Sequence, residues 1–178
     1  MSVRSVVFLT YHFPPEVGGI QTRISRYVSN LAGRGVRVRV LACGRNPALR
    51  TIEGVDIEMC PPGMGGLPRS LLLVVRSVVS SRAQVVHVFT GCSTLLGALT
   101  VVCARSYGAR PVVSFFGRED FAFSGLVSRM LFAVSTNLSR SIDVNSEATG
   151  ALLPPRARKK SVAASHRSGY SKPCLFQK

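Results

Sequence analysis

The sequence predicts an α/β fold built as a doubly wound parallel sheet. Short valine-rich runs alternate with longer segments whose apolar residues recur at helical spacing, and this alternation continues along most of the chain. Glycine and proline fall between the two kinds of segment rather than inside them. Hydrophobic residues make up 46% of the 178 residues, enough for one domain with a core of its own.

Residues 3–9 read as a buried first strand, and residues 19–32 as a first helix with Ile20, Ile24, Tyr27, Val28 and Leu31 on one face. Gly33 and Gly35 end that helix. Residues 36–41 alternate valine with Arg37 and Arg39, a second strand with a solvated face toward the sheet edge. Residues 51–60 form a strand or small hairpin around Gly54, and residues 61–68, rich in Pro and Gly, form a loop. The order then runs helix 71–81, strand 85–89, helix 94–107, strand 111–116, helix 121–138, strand 142–144 and a short helix 146–153. After Lys160 the periodicity stops, so the expected domain is 1–160 and the expected basic, disordered tail is 161–178.

The loop over residues 10–21 organises this reading. It joins the first strand to the first helix, where ligands bind in open α/β sheets. Pro14 and Pro15 hold the chain extended, while Gly18 and Gly19 permit a sharp turn and close approach of a bound group. The N–H groups of the following helix favour an anion such as phosphate. The plain alternative is a loop whose glycines only make the turn.

The 23 Lys and Arg against 8 Asp and Glu give a formal charge of +15. Such a field favours anionic partners: phosphorylated substrates, phospholipid surfaces or nucleic acid. Seven basic residues lie in 156–178, and without them the remainder still carries +8 (15 less 7). Nucleic acid is disfavoured, because aromatic residues are only 7% and no basic-aromatic motif occurs. The five cysteines are scattered and lack a Cys-x-x-Cys pair, which fits reduced thiols in a cytoplasmic protein rather than a disulfide frame or metal site. The N-terminus has no secretory pattern, and the apolar stretches are too short to span a bilayer.

Four stretches together resemble one family. Phe8-Leu9-Thr10-Tyr11-His12-Phe13-Pro14-Pro15-Glu16-Val17-Gly18-Gly19-Ile20-Gln21 is similar to the opening of family 4 glycosyltransferases, two-domain GT-B enzymes that use nucleotide-sugar donors. Val85-Val86-His87-Val88-Phe89 resembles that family's middle strand. Val112-Val113-Ser114-Phe115-Phe116-Gly117-Arg118-Glu119-Asp120 resembles its strand ending in His-Gly-x-Asp, and Asp143-Val144-Asn145-Ser146-Glu147-Ala148-Thr149 its Val-Ser-Glu-x-Thr segment. The resemblance implies a Rossmann-like N-terminal, acceptor-side domain, with a nucleotide-diphosphate sugar as donor substrate and no tightly bound cofactor. It also implies that Gly18, Gly19 and the segment from Gly117 to Asp120 face the cleft between domains.

The sequence departs from the family in two places. The histidine before the glycine is Phe116 here, and an aromatic hydrocarbon ring neither accepts nor relays a proton. The family's donor domain, with its basic residues and paired glutamates, has no counterpart in this sequence. A shifted reading frame near Lys160, a truncation and a genuine single domain remain open; translating the downstream codons in three frames separates them.

The expected substrate-binding residues are His12, Gly18, Gly19, Gly117, Glu119 and Asp120. Glu119 and Asp120 either serve the site or cap the next helix. Ser146 and Glu147 either line the cleft or act as N-cap and first-turn acid. His87, inside a valine-rich strand, reads as a core or edge histidine. No catalytic residue and no metal ligand is assigned. The expected function is the acceptor-binding half of a nucleotide-sugar-dependent glycosyltransferase, inactive alone, with a lipid-linked or soluble sugar acceptor. The rival is a basic binding module that docks on an anionic membrane surface, at the inner face of the membrane, or on a separate donor domain.

Overall fold

The computed structural model describes residues 3–14, 18–43, 52–61, 63–91, 94–117 and 125–163. Seven strands form one sheet in the order β3-β2-β1-β4-β5-β6-β7, and every pair is parallel. They are β1 (Ser5–Thr10), β2 (Arg37–Ala42), β3 (Val55–Met59), β4 (Val85–Val88), β5 (Arg110–Phe115), β6 (Ser141–Val144) and β7 (Ser161–Ala163). The helices between them are α1 (Gly19–Gly33), α2 (Leu67–Ser80), α3 (Leu95–Ser106), α4 (Leu126–Leu138), α5 (Glu147–Ala151) and α6 (Pro155–Arg158).

Strands β1, β4 and β5 are buried on both faces, so their sequences are near-continuous apolar runs rather than alternating ones. Successive side chains still point to opposite faces and feed two separate cores. Val6, Phe8, Val38, Val40 and Phe89 pack against Ile24, Val28 and Leu31 of α1. Val7, Leu9, Val86, Val88 and Phe115 pack on the other face with Val74 and Val78 of α2, Val101 of α3 and Phe132 of α4. Each fully buried aliphatic side chain contributes about 1.5–3 kcal/mol.

Most expected elements are present with ends shifted by a residue or two. Helix α2 begins at Leu67, inside the stretch expected to be loop, after a 3₁₀ turn at Met64–Gly66. Pro68 does not prevent this, because a first-turn N–H has no partner within the helix anyway. The segment around Gly54 is not a hairpin: Gly54 turns the chain at φ +73° into the single parallel strand β3. Strand β2 lies inside the sheet, and Arg39 on it pairs with Asp56 of β3 at 2.6 Å.

The sheet also continues past Lys160. Ser161–Ala163 adds a seventh strand beside β6, with Ile142 opposite Ser161. A strand of three residues is too short to display a period, which is why it is silent in the sequence. Lys160 anchors this turn: its Nζ donates to the carbonyls of Thr136, Asn137 and Ser139 at 3.2, 2.6 and 3.1 Å, the frayed carboxyl end of α4. The rest of the expected tail, 164–178, lies outside the described residues.

The sidedness of α1 and α2 has a direct check. Ile24→Ala, on the buried face, is expected to cost about 2–5 kcal/mol. Leu72→Ala, on the exposed face of α2, is expected to stay within about 0.5 kcal/mol. Denaturant midpoints of the two variants measure the difference.

Candidate functional site

Chain order reverses between β1 and β4: from β1 the chain winds outward through β2 and β3, then returns to add β4 on the other side. Such a switch point leaves a crevice outside the carboxyl ends of the two strands. Its rim is built from Thr10, the last residue of β1, with Tyr11 after it, and from Thr90 and Gly91 after β4.

Hydroxyl protons fix the pairing across this rim. The Thr10 hydroxyl donates to the His12 carbonyl at 2.9 Å, so its single proton is used. Thr90 is therefore the donor in the Thr10–Thr90 contact at 3.2 Å, and the Thr90 oxygen in turn accepts the Tyr11 N–H at 2.7 Å. The Tyr11 phenol meets Thr94 Oγ1 at 3.1 Å, at the start of α3, where Thr94 caps the helix by accepting from Gly97 N–H. Burial raises the Tyr11 phenol above its ordinary pKa, so it stays protonated.

Gly91 is the glycine that this geometry requires. Its φ is +79°, and a Cβ there would fall 2.3 Å from the Tyr11 ring. Gly18 and Gly19 stand differently from the expectation of a tight turn. Gly18 is extended at φ 171°, and a Cβ on it would meet only the mobile end of Gln21. Around Gly19 there is open space, so nothing in the described chain forbids a side chain there. Gly18 is the N-cap of α1, and among the described residues no side chain caps that helix start.

Of the other expected residues, His12, Gly117, Ser146 and Glu147 follow the carboxyl ends of β1, β5 and β6. His12 is exposed on the β1 loop. Gly117 follows β5, while Glu119 and Asp120 lie outside the described residues. Ser146 is the N-cap of α5, its Oγ accepting from Thr149 N–H at 3.1 Å, and Glu147 is an exposed first-turn acid. Asn145, just before them, holds the two loops together: its Nδ2 donates to the Phe116 carbonyl, and its Oδ1 accepts from Thr149 Oγ1 at 2.6 Å.

Phe116 itself is buried. Its ring centroid lies 4.7 Å from that of Phe89, and the Arg23 guanidinium sits 5.1 Å over it. Arg23 also pairs with Asp143 at 3.3 Å. Asp143 begins a buried polar row that crosses three strands beneath α1. The Ser114 hydroxyl donates to Asp143 Oδ2 at 3.2 Å, and Ser114 Oγ lies 2.7 Å from His87 Nε2. With the serine proton used, His87 must donate from Nε2, which leaves Nδ1 unprotonated and without a partner. Burial, with a further push from Arg23, lowers the His87 pKa to about 3. The row contains Ser, His and Asp but in the wrong order for nucleophilic catalysis, because the carboxylate orients the serine rather than the imidazole. His87 is a core histidine, as its place in the strand suggested.

Sequence reasoning missed Arg23, Ser114, Asp143, Thr90 and Gly91. Each pairs with residues far away in the chain, and no local spacing marks them. No cluster of three His, Cys, Asp or Glu that could hold a metal occurs among the described residues. A shallow depression lined by Arg37, Arg39 and Asp56 lies at the opposite, amino-terminal end of the sheet, away from the crevice.

An all-parallel, doubly wound sheet with a glycine-led helix after its first strand is a Rossmann-like domain of the GT-B kind. More narrowly, the chain belongs to the glycosyl transferase 4-like domain family, whose model matches residues 18–166 and so includes β7. No curated protein matches the chain in sequence. Among solved structures it is similar to the lipopolysaccharide outer core galactosyltransferase WaaB (apo form), with TM-score 0.61 and 9% identity over 89% of this chain and 44% of that one. It is also similar to HepE of Anabaena, solved in complex with UDP, with TM-score 0.58 and 12% identity over 90% and 43%. MurG of Acinetobacter baumannii matches with TM-score 0.54 and 14% identity over 85% and 43%. The chain thus spans less than half the length of each of these proteins, and at such identity the likeness shows the fold alone.

Two predictions follow from the rim and the polar row. Gly91→Ala is expected to cost about 1–3 kcal/mol in backbone strain and to displace Tyr11 as well. Gly19→Ala should leave stability within about 0.5 kcal/mol; chemical denaturation of both variants reads this contrast. For His87, the folded pKa lies below the unfolded value of about 6.5. Its contribution to stability is therefore complete above pH 6.5 and is lost as pH falls toward 3, by up to about 1.4 kcal/mol per pH unit. His87→Gln should flatten the fall of Tm between pH 6.5 and 4 relative to the parent protein.

Proposed function

We propose that this domain is the acceptor-side half of a nucleotide-sugar-dependent glycosyltransferase, inactive without a donor-binding domain. The observation that carries this reading is the β1/β4 switch point, where Thr10, Tyr11 and Thr90 bond across the strand ends and α1 starts at Gly18–Gly19. Membership of the glycosyl transferase 4-like family supports the reaction class. HepE, similar in fold, is named as a complex with UDP, which supports a nucleotide-diphosphate sugar as donor.

In such a transfer the sugar gains positive charge while the leaving phosphate gains negative charge. The work of this half is then to hold the acceptor hydroxyl in line with the sugar and to keep water out. Threonine and tyrosine hydroxyls suit sugar hydroxyls, since each both donates and accepts. The open space at Gly19 leaves room for a bound group to approach the first turn of α1, whose N–H groups favour phosphate. His12, exposed on the β1 loop, and Glu119 and Asp120 after β5 are the further candidates for acceptor contact. Phe116 supplies no proton relay, so its part is to seat Arg23 and, through its carbonyl, Asn145.

A second reading rests on α4. Leu126, Met130, Val134 and Leu138 recur every four residues and are all exposed, with exposed Arg129 and Arg140 nearby. An apolar stripe flanked by arginine suits an anionic membrane surface, where each basic residue adds about 1 kcal/mol. No helix among the described residues is long and apolar enough to cross a membrane.

The test is activity of the chain with and without a family donor domain supplied in trans. Sugar transfer from UDP- or GDP-sugars is expected only with the added domain. Turnover by the chain alone at ordinary enzyme rates, about 1–1000 per second, overturns the half-enzyme reading. Sedimentation with phosphatidylglycerol vesicles, retained by a chain ending at residue 163 and lost in Met130→Glu, would put the membrane-module reading first.

A further inference from the structure

We infer that Cys43 and Cys60 form a cross-strand dithiol that closes to a disulfide under peroxide, at the edge of the crevice. The two residues are separated by sixteen others in sequence and lie in no motif. Parallel pairing brings them together. Ala42 of β2 stands opposite Met59 of β3, and the next residue on each strand is a cysteine. The ladder continues into this pair, because Cys60 N–H donates to the Ala42 carbonyl at 2.9 Å. Cys43 N–H donates to the Thr10 carbonyl at 2.8 Å, which ties the pair to the end of β1.

Residues opposite one another on adjacent strands point to the same face, with backbones about 4.8 Å apart. That spacing lies inside the Cα separation of about 4.4–6.8 Å that a disulfide accepts. Both side chains share the same core cluster, with Cys60 buried in it and Cys43 packed against it. Each thiol acts on the other: Cys60 beside it raises the Cys43 thiol, and Cys43 beside it lowers the Cys60 thiol. Cys43 is only partly buried and gives a peroxide its approach to the pair. By contrast, Cys103 is buried and its thiol is pushed up by burial.

The Cys60 thiolate attacks a peroxide oxygen, the O–O bond breaks, and the departing hydroxide takes up the proton Cys60 had released and leaves as water, with Cys60 now a sulfenic acid. The Cys43 sulfur then attacks the Cys60 sulfur and gives its proton to the leaving hydroxide; the S–S bond forms, the S–O bond breaks and a second water leaves. Two thiols lose two electrons and two protons, and hydrogen peroxide takes them up. Closure fastens the carboxyl ends of β2 and β3 beside Tyr11, whose phenol both sulfurs already influence.

The experiment uses the full chain. The protein is exposed to a small excess of hydrogen peroxide, remaining thiols are blocked with N-ethylmaleimide, and tryptic peptides are mapped without reduction. The expected dominant product joins the peptide of residues 40–45 to that of residues 51–69, with loss of two hydrogens. Dithiothreitol should reverse it, prior unfolding in guanidinium should scatter it among other cysteine pairs, and Cys103→Ser should leave it unchanged. Either cysteine recovered as sulfinic acid with the other alkylated overturns the inference, as does a mixture of links in the folded protein no more selective than in guanidinium.

Discussion

Parallel pairing of β1 with both β2 and β4 is the constraint on which this structure depends. In that position β1 is covered on both faces and both edges, so every backbone group must enter a ladder and every side chain must be apolar or paired. The strand meets both demands except at Ser5, whose buried hydroxyl has no partner among the described residues, and Thr10, its last residue, turns its hydroxyl into the first bond of the crevice rim. The switch point, the approach of Thr90 and the seating of Tyr11 all follow from having these two neighbours on β1.

The two faces of the sheet carry different burdens. The face under α2, α3 and α4 is apolar almost throughout. The face under α1 holds the aromatic cluster of Phe8, Tyr27, Phe89 and Phe116, and the row His87–Ser114–Asp143–Arg23. Burying such a row costs free energy wherever a polar atom is left unpaired, and His87 Nδ1 is one such atom. What the row does is join β4, β5 and β6 to one helix, fixing the position of Arg23 and with it the ring of Phe116. Phe116, where the family that the sequence resembles has a histidine, thus lies under an arginine held by the row.

The readings of single residues separate by how local their cause is. Ser146 as a helix cap needed only the next three residues, and the geometry has that bond. The glycines at 18 and 19 read as a tight turn, yet one is extended and the other opens a helix, whereas the rim glycine held at positive φ is Gly91, beside the Tyr11 ring. Helix α2 began earlier than its apolar period suggested, because a proline in a first turn breaks no bond.

By itself the sequence determined the alternation of strands and helices, the family resemblance and the approximate ends of each element, because hydrophobic period and turn chemistry act over a few residues. Only the tertiary structure decided that β4 lies beside β1, that a seventh strand closes the edge, and which distant residues meet. Thr10 with Thr90, His87 with Ser114 and Asp143, and Cys43 with Cys60 are products of strand order and register. Those are set by burying two opposite faces at once, a condition on the whole sheet that no local stretch of sequence contains.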